Sequence, residues 1–397
     1  MKRDIQLGFW NYVKCGMLGK EAVKDWKELG MTVAMSCDFD DRIHAKSEIL
    51  DVLDECKKYG LKLIIRDKRT RFRRYMKRTR EEFICGVRQA YADFGNHEAV
   101  FGFFIGDEPS PCEEEAFIDT LRIVVEEMPN LTPFGNTFAY WGGADFLMLT
   151  GRKVDRYDKL VDRMFLETKA PIIGFDHYAQ CVEEGFNKDA GINSWFYNLD
   201  KYREHSKKNN AQFYASVLCV GHWSHRVPTE DDIRWQLYTA LAHGARGIIW
   251  FHLYQYKLED SYRNAPFYGK NFKRTEMFDC LARQQDIFHQ YYEKQFNKME
   301  VTEVYHTGHI YDPARRFCED ENIQEVTGRF SLPTIITYYK EFDSEARWVS
   351  ILNASQRRVN EITVKFACGK VHTFWLAPGE LKLFKLGEEI SCYDEQL

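Results

Sequence analysis

A chain of 397 residues with a net charge of −5 and 44% hydrophobic residues can hold two domains, or one large barrel with an appendage, around a sizeable core. The acidic balance and the lack of a nucleic-acid-binding motif argue against a nucleic-acid partner, and no apolar run is long enough to span a bilayer. The start, Met1-Lys2-Arg3-Asp4, offers no signal-peptide core, and the 11 scattered cysteines without Cys-x-x-Cys pairing read as buried or free thiols of a reducing compartment, so a cytoplasmic protein is expected.

From the N-terminus, an apolar strand Ile5–Asn11 precedes a helical pattern from Gly19 to Gly30, with Ala22, Val23, Trp26 and Leu29 on one face. The unit then repeats. Strand Thr32–Ser36, helix Ala45–Tyr59 stopped by Gly60, strand Leu61–Ile65 and helix Arg80–Phe94 lead into a fourth strand beginning at Val100. Between them lies the basic run Arg66–Arg80, read as a solvated loop, with an anionic ligand as the other reading. Helix Pro111–Glu127, strand Leu131–Asn136, a loop around Trp141-Gly142-Gly143, helix Asp155–Thr168 and strand Pro171–Tyr178 follow. Helix Ser194–Lys208, strand Gln212–Val220, helix Thr229–Gly244, strand Gly247–His252 and helix Glu276–Phe296 complete the series.

Eight such βα units predict an α/β fold, a (β/α)8 TIM barrel over residues 1–297. A doubly wound sheet is the alternative, but Phe9-Trp10-Asn11 is no Gly-rich phosphate fingerprint. From 298 to 397 short alternating runs separated by turns such as Ala377-Pro378-Gly379-Glu380 predict a small antiparallel β-sandwich, with Val301–Phe330 ambiguous.

The fourth strand is the most informative stretch. Val100-Phe101-Gly102-Phe103-Phe104-Ile105 is a run buried on both faces, and it ends in Gly106-Asp107-Glu108-Pro109. Proline stops the ladder and favours an extended Glu108, delivering the carboxylate to the end of a parallel strand, where α/β proteins bind ligands. Capping of the next helix is the bland alternative. Alternation puts Asp107 on the opposite side from Glu108.

A barrel with this tip, followed by Ala240-Leu241-Ala242-His243-Gly244-Ala245-Arg246-Gly247 before an aromatic eighth strand and then a β-sandwich, resembles clan A glycoside hydrolases, in particular β-galactosidase-type families such as family 42. The resemblance implies that Glu108 is the general acid/base and that Asp107 stands where the family has an asparagine for the sugar 2-hydroxyl. It also implies a glutamate nucleophile at the end of strand seven, but Ala215–Trp223 has no carboxylate.

Glycoside cleavage needs a second carboxyl group. Asp176, at the tip of strand six, is the candidate catalytic partner, ahead of Asp38 and Asp107. Residues at the other tips compose a candidate sugar pocket of aromatic platforms and hydrogen-bonding groups: Trp10, Asn11, Arg66, Asp107, Asn136, His177, Tyr178, His222, Trp223, Arg226, Trp250 and His252. Neither a metal-ligand pattern on the first strand nor a cofactor motif is present, so no cofactor is expected. The expectation is an exo-acting, β-galactosidase-like hydrolase of a small β-linked glycoside or oligosaccharide. The alternative is a non-catalytic carbohydrate-binding protein on a degenerate barrel, and a homo-oligomer is compatible with either.

Overall fold

The computed structural model describes residues 4–141, 154–178, 188–223, 225–257, 261–387 and 389–393. Glycines 142 and 143 of the expected loop lie outside them. The alternation of apolar runs and amphipathic segments folds as eight parallel strands, each followed by helical chain. The strands are β1 (Gln6–Phe9), β2 (Val33–Phe39), β3 (Lys62–Asp67), β4 (Val100–Asp107), β5 (Thr132–Phe138), β6 (Ile172–Asp176), β7 (Gln212–Leu218) and β8 (Gly247–Phe251). From β2 to β8 each pairs with its neighbour in chain order, and β8 pairs with β1. At the seam between β1 and β2, Thr32 N–H donates to Leu7 O at 2.8 Å, which closes the ring.

Helices α1 (Ala22–Glu28), α2 (Ser47–Tyr59), α3 (Arg80–Ala90), α4 (Glu114–Glu127), α5 (Val154–Thr168), α6 (Lys188–Lys208), α7 (Glu230–Ala242) and α8 (Glu276–Ile287) cover the outside. Their ends follow local chemistry. Gly60 closes α2 in the left-handed region at φ 71. Thr79 with Glu82 and Thr229 with Asp232 form capping boxes at the starts of α3 and α7.

Strand alternation sorts the core into two layers. Val33, Met35, Ile64, Phe104, Phe134, Ile172, Tyr214 and Ile249 fill the barrel. Ala34, Leu63, Ile65, Phe103, Ile173, Phe175, Ile248 and Trp250 face the helices. Burying each large apolar side chain contributes about 1.5–3 kcal/mol.

The C-terminal strands β9 (Met299–Thr307), β10 (Ile323–Gly328), β11 (Thr334–Glu341), β12 (Arg347–Asn353), β13 (Asn360–Phe366), β14 (Val371–Leu376), β15 (Leu381–Leu386) and β16 (Ser391–Cys392) form two antiparallel sheets. Their orders are β9-β11-β12-β15-β16 and β10-β13-β14. The stretch left ambiguous by its pattern thus holds the strands β9 and β10. Between the sheets lie Val326, Ile336, Val349, Ile362, Val364 and Phe384. The other face of the larger sheet meets the barrel, where Trp235 Nε1 donates to Ala354 O at 2.8 Å.

One expectation is overturned. Cys15 and Cys37 are bonded to one another, so the cysteines are not all free thiols. They are 22 residues apart in sequence, in the loop after β1 and near the end of β2, and only the barrel brings them together. Among the described residues, no helix is long and apolar enough to cross a membrane.

Candidate active site

The carboxyl ends of the strands meet at one mouth, and β4 delivers two carboxylates there by breaking its own alternation. Against β5 the register slips, so that Phe104 faces Phe134 but Gly106 faces Gly135 and Asp107 faces Asn136. Ile105 is the extra residue of this bulge. Gly106 takes φ +155, and a Cβ there would stand 2.1 Å from the Phe72 ring. The bulge therefore turns Asp107 inward, correcting the expectation that it points away from Glu108.

Glu108 departs from expectation as well. It is not extended but adopts φ +43, the left-handed region, despite the following proline. Its N–H donates to Asn136 O at 3.1 Å, which ties the strained turn to β5. Such a conformation costs about 1–3 kcal/mol and is characteristic of sites where geometry serves chemistry.

Asn136 organises the carboxylates. Its Nδ2 donates to Asp107 Oδ1 at 2.9 Å and to Asp176 Oδ1 at 3.2 Å, while its Oδ1 accepts from Ser216 Oγ at 3.4 Å. Ser216 Oγ in turn accepts from Trp10 Nε1 at 3.0 Å. Glu108 and Asp176 share a side-chain hydrogen bond. Burial, followed by the charge of Asp107, lifts Glu108 to about 7. Burial, followed by the charges of Glu108 and Asp107, raises Asp176 well above the usual carboxylate range. Burial also raises Asp107, against the pull of the Asn136 amide and of Arg66. The shared bond lowers Glu108 and raises Asp176, so Glu108 is the first of the pair to ionise, at about 7, and Asp176 keeps the remaining proton.

An aromatic wall faces this pair. Tyr12 stacks on Trp10 at 6.2 Å, and Tyr178 packs on Phe251 at 5.5 Å and near His222 at 6.4 Å. His222 lies between Trp223 and Tyr262, with ring centroids at 4.5 and 5.1 Å. His252 meets Tyr12 at 5.5 Å and Tyr262 at 4.6 Å. Burial pulls His222 down to about 4 and His252 to about 3, so both are neutral. His222 Nδ1 and both His252 ring nitrogens are buried without a hydrogen-bond partner. Trp223, 70% exposed, stands at the rim.

Beside Asp107 opens a cavity of about 520 Å³, lined by Trp10, Tyr12, Phe104, Arg66 near the end of β3 and the basic side chains that follow that strand. Asn11 is not free to meet a ligand. Its Nδ2 donates to Met35 O at 3.1 Å, its Oδ1 accepts from Val13 N at 2.9 Å, and its carbonyl receives Arg66.

Three expected pocket residues lie elsewhere. Trp250 is on the helix-facing side of β8, where its Nε1 donates to Gln285 Oε1 at 3.3 Å. His177 contacts Ser194 Oγ at 2.7 Å and stacks on Trp141 at 4.2 Å. Arg226 grips both oxygens of Asp232, at 2.5 and 2.7 Å, at the start of α7. In each case strand parity or a capping partner decided the direction of the side chain. Conversely, Tyr12, Arg71, Arg73, Ser216 and Tyr262 belong to the mouth or its cavity and were not singled out. Arg71 and Arg73 did carry a signal, as members of the basic run. Among the described residues no group of three or more His, Cys, Asp or Glu is arranged for a metal ion.

No family model matches the chain and no curated protein does. Solved structures do. Gan42B, a GH42 β-galactosidase from G. stearothermophilus, superposes with a TM-score of 0.62 at 8% identity, over 97% of this chain and 98% of that one. This is the same fold. Because the match spans both chains almost fully, it includes the sandwich as well as the barrel. A glycoside hydrolase family 5 structure from Bacteroides vulgatus gives 0.61 at 9% identity, over 96% of this chain and 88% of that one. The cold-adapted β-galactosidase from Rahnella sp. R3 gives 0.55 at 12% identity, over 76% of this chain and 58% of that one. The chain thus spans well under two thirds of that enzyme's length.

Proposed function

We propose that this chain is a glycoside hydrolase acting on a small β-linked glycoside, with Glu108 as general acid/base and Asp176 as its partner, on a barrel formed by residues 1–297. The observation that carries this reading is the hydrogen-bonded Glu108–Asp176 pair at the carboxyl end of an eight-stranded barrel, with Glu108 lifted to about 7. Glycoside cleavage needs one protonated and one ionised carboxyl group, and a pair sharing one proton supplies both. The fold shared with β-galactosidases at 8% and 12% identity is consistent with this.

In this reading the proton that Asp176 keeps in the free site passes to Glu108 as substrate enters, and Glu108 gives it to the leaving glycosidic oxygen while the Asp176 carboxylate attacks the anomeric carbon. Water then cleaves the resulting ester with Glu108 as base. The two carboxyls lie against one another with no room for a water between them, which favours the covalent route over inversion. Substrate has to part the pair.

The second reading, a non-catalytic sugar-binding barrel, is favoured by one observation. The end of β7, where the resemblance implies a nucleophile, is Ser216-Val217-Leu218, and Ser216 serves Trp10 and Asn136. A panel of aryl glycosides assayed with the wild type and Glu108→Gln separates the two. Turnover that falls by about a hundred- to ten-thousand-fold in the variant supports the enzyme. Sugar binding with no turnover in the wild type supports the binder.

A further inference from the structure

The cavity beside Asp107 is built for more than a neutral sugar. The chain after β3 crosses the mouth carrying one cation after another, and eight of the side chains lining the cavity are Arg or Lys against four Asp. Several are already paired. Arg42 and Lys68 share Asp40, Arg69 takes Asp67 and Asp93, and Arg73 takes Glu113. Arg66 has no carboxylate within salt-bridge distance among the described residues, and neither have Arg74 and Lys77. Arg71 contacts Asp38.

Two of these guanidiniums are sunk against aromatic faces. Arg66 is 9% exposed, and its Cζ lies 5.3 Å from the Tyr12 ring centroid and 5.6 Å from that of Phe104. Arg71 lies 4.2 Å from the Phe104 centroid. The Nε atoms of both are buried without a hydrogen-bond partner. A buried N–H donor left unmade costs about 1–3 kcal/mol, and neighbouring like charges add to that cost. Burial, followed by the charge of Arg66, pulls Arg71 down to about 10 against the opposing pull of Asp38 and Asp107. Trp10, Tyr12 and Phe104 supply apolar surface in the same cavity.

We propose that the ligand of this site is an acidic carbohydrate whose oxyanion docks between Arg66 and Arg71, with Arg74 at the cavity wall. The inference rests on the carbohydrate site proposed above and names its substrate class. A planar guanidinium recognises the carboxylate of a uronic acid, or the oxygens of a sulfate or phosphate ester, through paired charge-assisted hydrogen bonds. Asp107 accepts a hydrogen bond from the Asn136 amide, and burial raises its proton affinity, which weakens its opposition to an anion.

The test is binding measured apart from turnover. Calorimetric titration of the full chain and of its Glu108→Gln variant uses 4-nitrophenyl β-glucuronide, 4-nitrophenyl β-galactoside 6-sulfate, its 6-phosphate and the neutral galactoside. At least one acid is expected to bind about tenfold or more tightly than the neutral sugar, with a preference that weakens in high salt. Which acid binds distinguishes carboxylate from sulfate and phosphate. Arg71→Gln is expected to bring the acid-to-neutral ratio toward one. Arg74→Ala, at a half-buried position, serves as the second variant should Arg71→Gln fail to fold. Equal binding of acids and neutral sugar, no binding of any acid, or a ratio untouched by either arginine change overturns the inference. Acid-selective binding without turnover of any glycoside supports it while removing the hydrolase reading. Turnover of the neutral glycoside without charge preference does the reverse.

Discussion

Glu108 and Asp176, 68 positions apart in sequence, meet in one side-chain hydrogen bond, and burial raises both above the usual carboxylate range. A glutamate at about 7 has consequences for both rate and stability. For rate, the pair passes from two protons to one as pH rises through about 7, so kcat/KM is expected to rise through that limb and to fall only where the second proton leaves. For stability, the unfolded chain releases this proton near its ordinary value of 4.5 while the folded chain holds it to about 7. The folded state is therefore favoured below the unfolded value and loses that advantage as pH rises between the two. Glu108→Gln is expected to unfold at a higher temperature than wild type at pH 8, with a gain of roughly 2–3 kcal/mol that vanishes near pH 4. Melting curves at the two pH values check it, and a variant less stable than wild type at pH 8 contradicts the pairing.

The barrel was legible in the sequence because each strand is a short apolar run and each helix carries its own stop or cap, as Gly60 and Thr229 do. The tip of β4 was legible as a place but not as a geometry. Period-two reasoning assigned Asp107 to the wrong side, since a one-residue bulge leaves no mark on an apolar run. Trp250 was misplaced for the opposite reason: β8 is apolar on both faces, so its inward side cannot be read from hydropathy. The bond between Cys15 and Cys37 has no local pattern, because its partners meet only when β1 and β2 lie side by side.

Gly106 is the hinge of the β4 tip. Any Cβ there meets the Phe72 ring at 2.1 Å, and φ +155 is a conformation that L side chains rarely adopt. Gly106→Ala is expected to cost about 2–4 kcal/mol in denaturant titration and to remove most activity by displacing Asp107 and Glu108. A variant of wild-type stability contradicts the bulge.

Asn136 is the sole donor shared by Asp107 and Asp176 among the described residues, at 2.9 and 3.2 Å. Asn136→Ala removes both bonds, leaving two buried carboxylates less compensated. Their proton affinities are expected to rise, moving the alkaline limb of kcat/KM to higher pH, and stability at pH 8 is expected to fall by about 1–3 kcal/mol. An unchanged pH profile contradicts this role.

Trp10 and Trp250 are both fully buried, yet they face opposite sides of the barrel wall. Trp10 lines the cavity and donates to Ser216, whereas Trp250 donates to Gln285 on α8. Replacing either with Phe removes one hydrogen bond and some buried area, so both variants are expected to lose about 1–2 kcal/mol of stability. Only Trp10→Phe changes a surface that ligand can touch, so only that variant is expected to raise KM, by about tenfold if the indole stacks on sugar. Trp250→Phe is expected to keep its KM. Steady-state kinetics beside melting curves separate the two effects, and a KM raised equally in both variants contradicts the inward and outward assignment that the strand registers make.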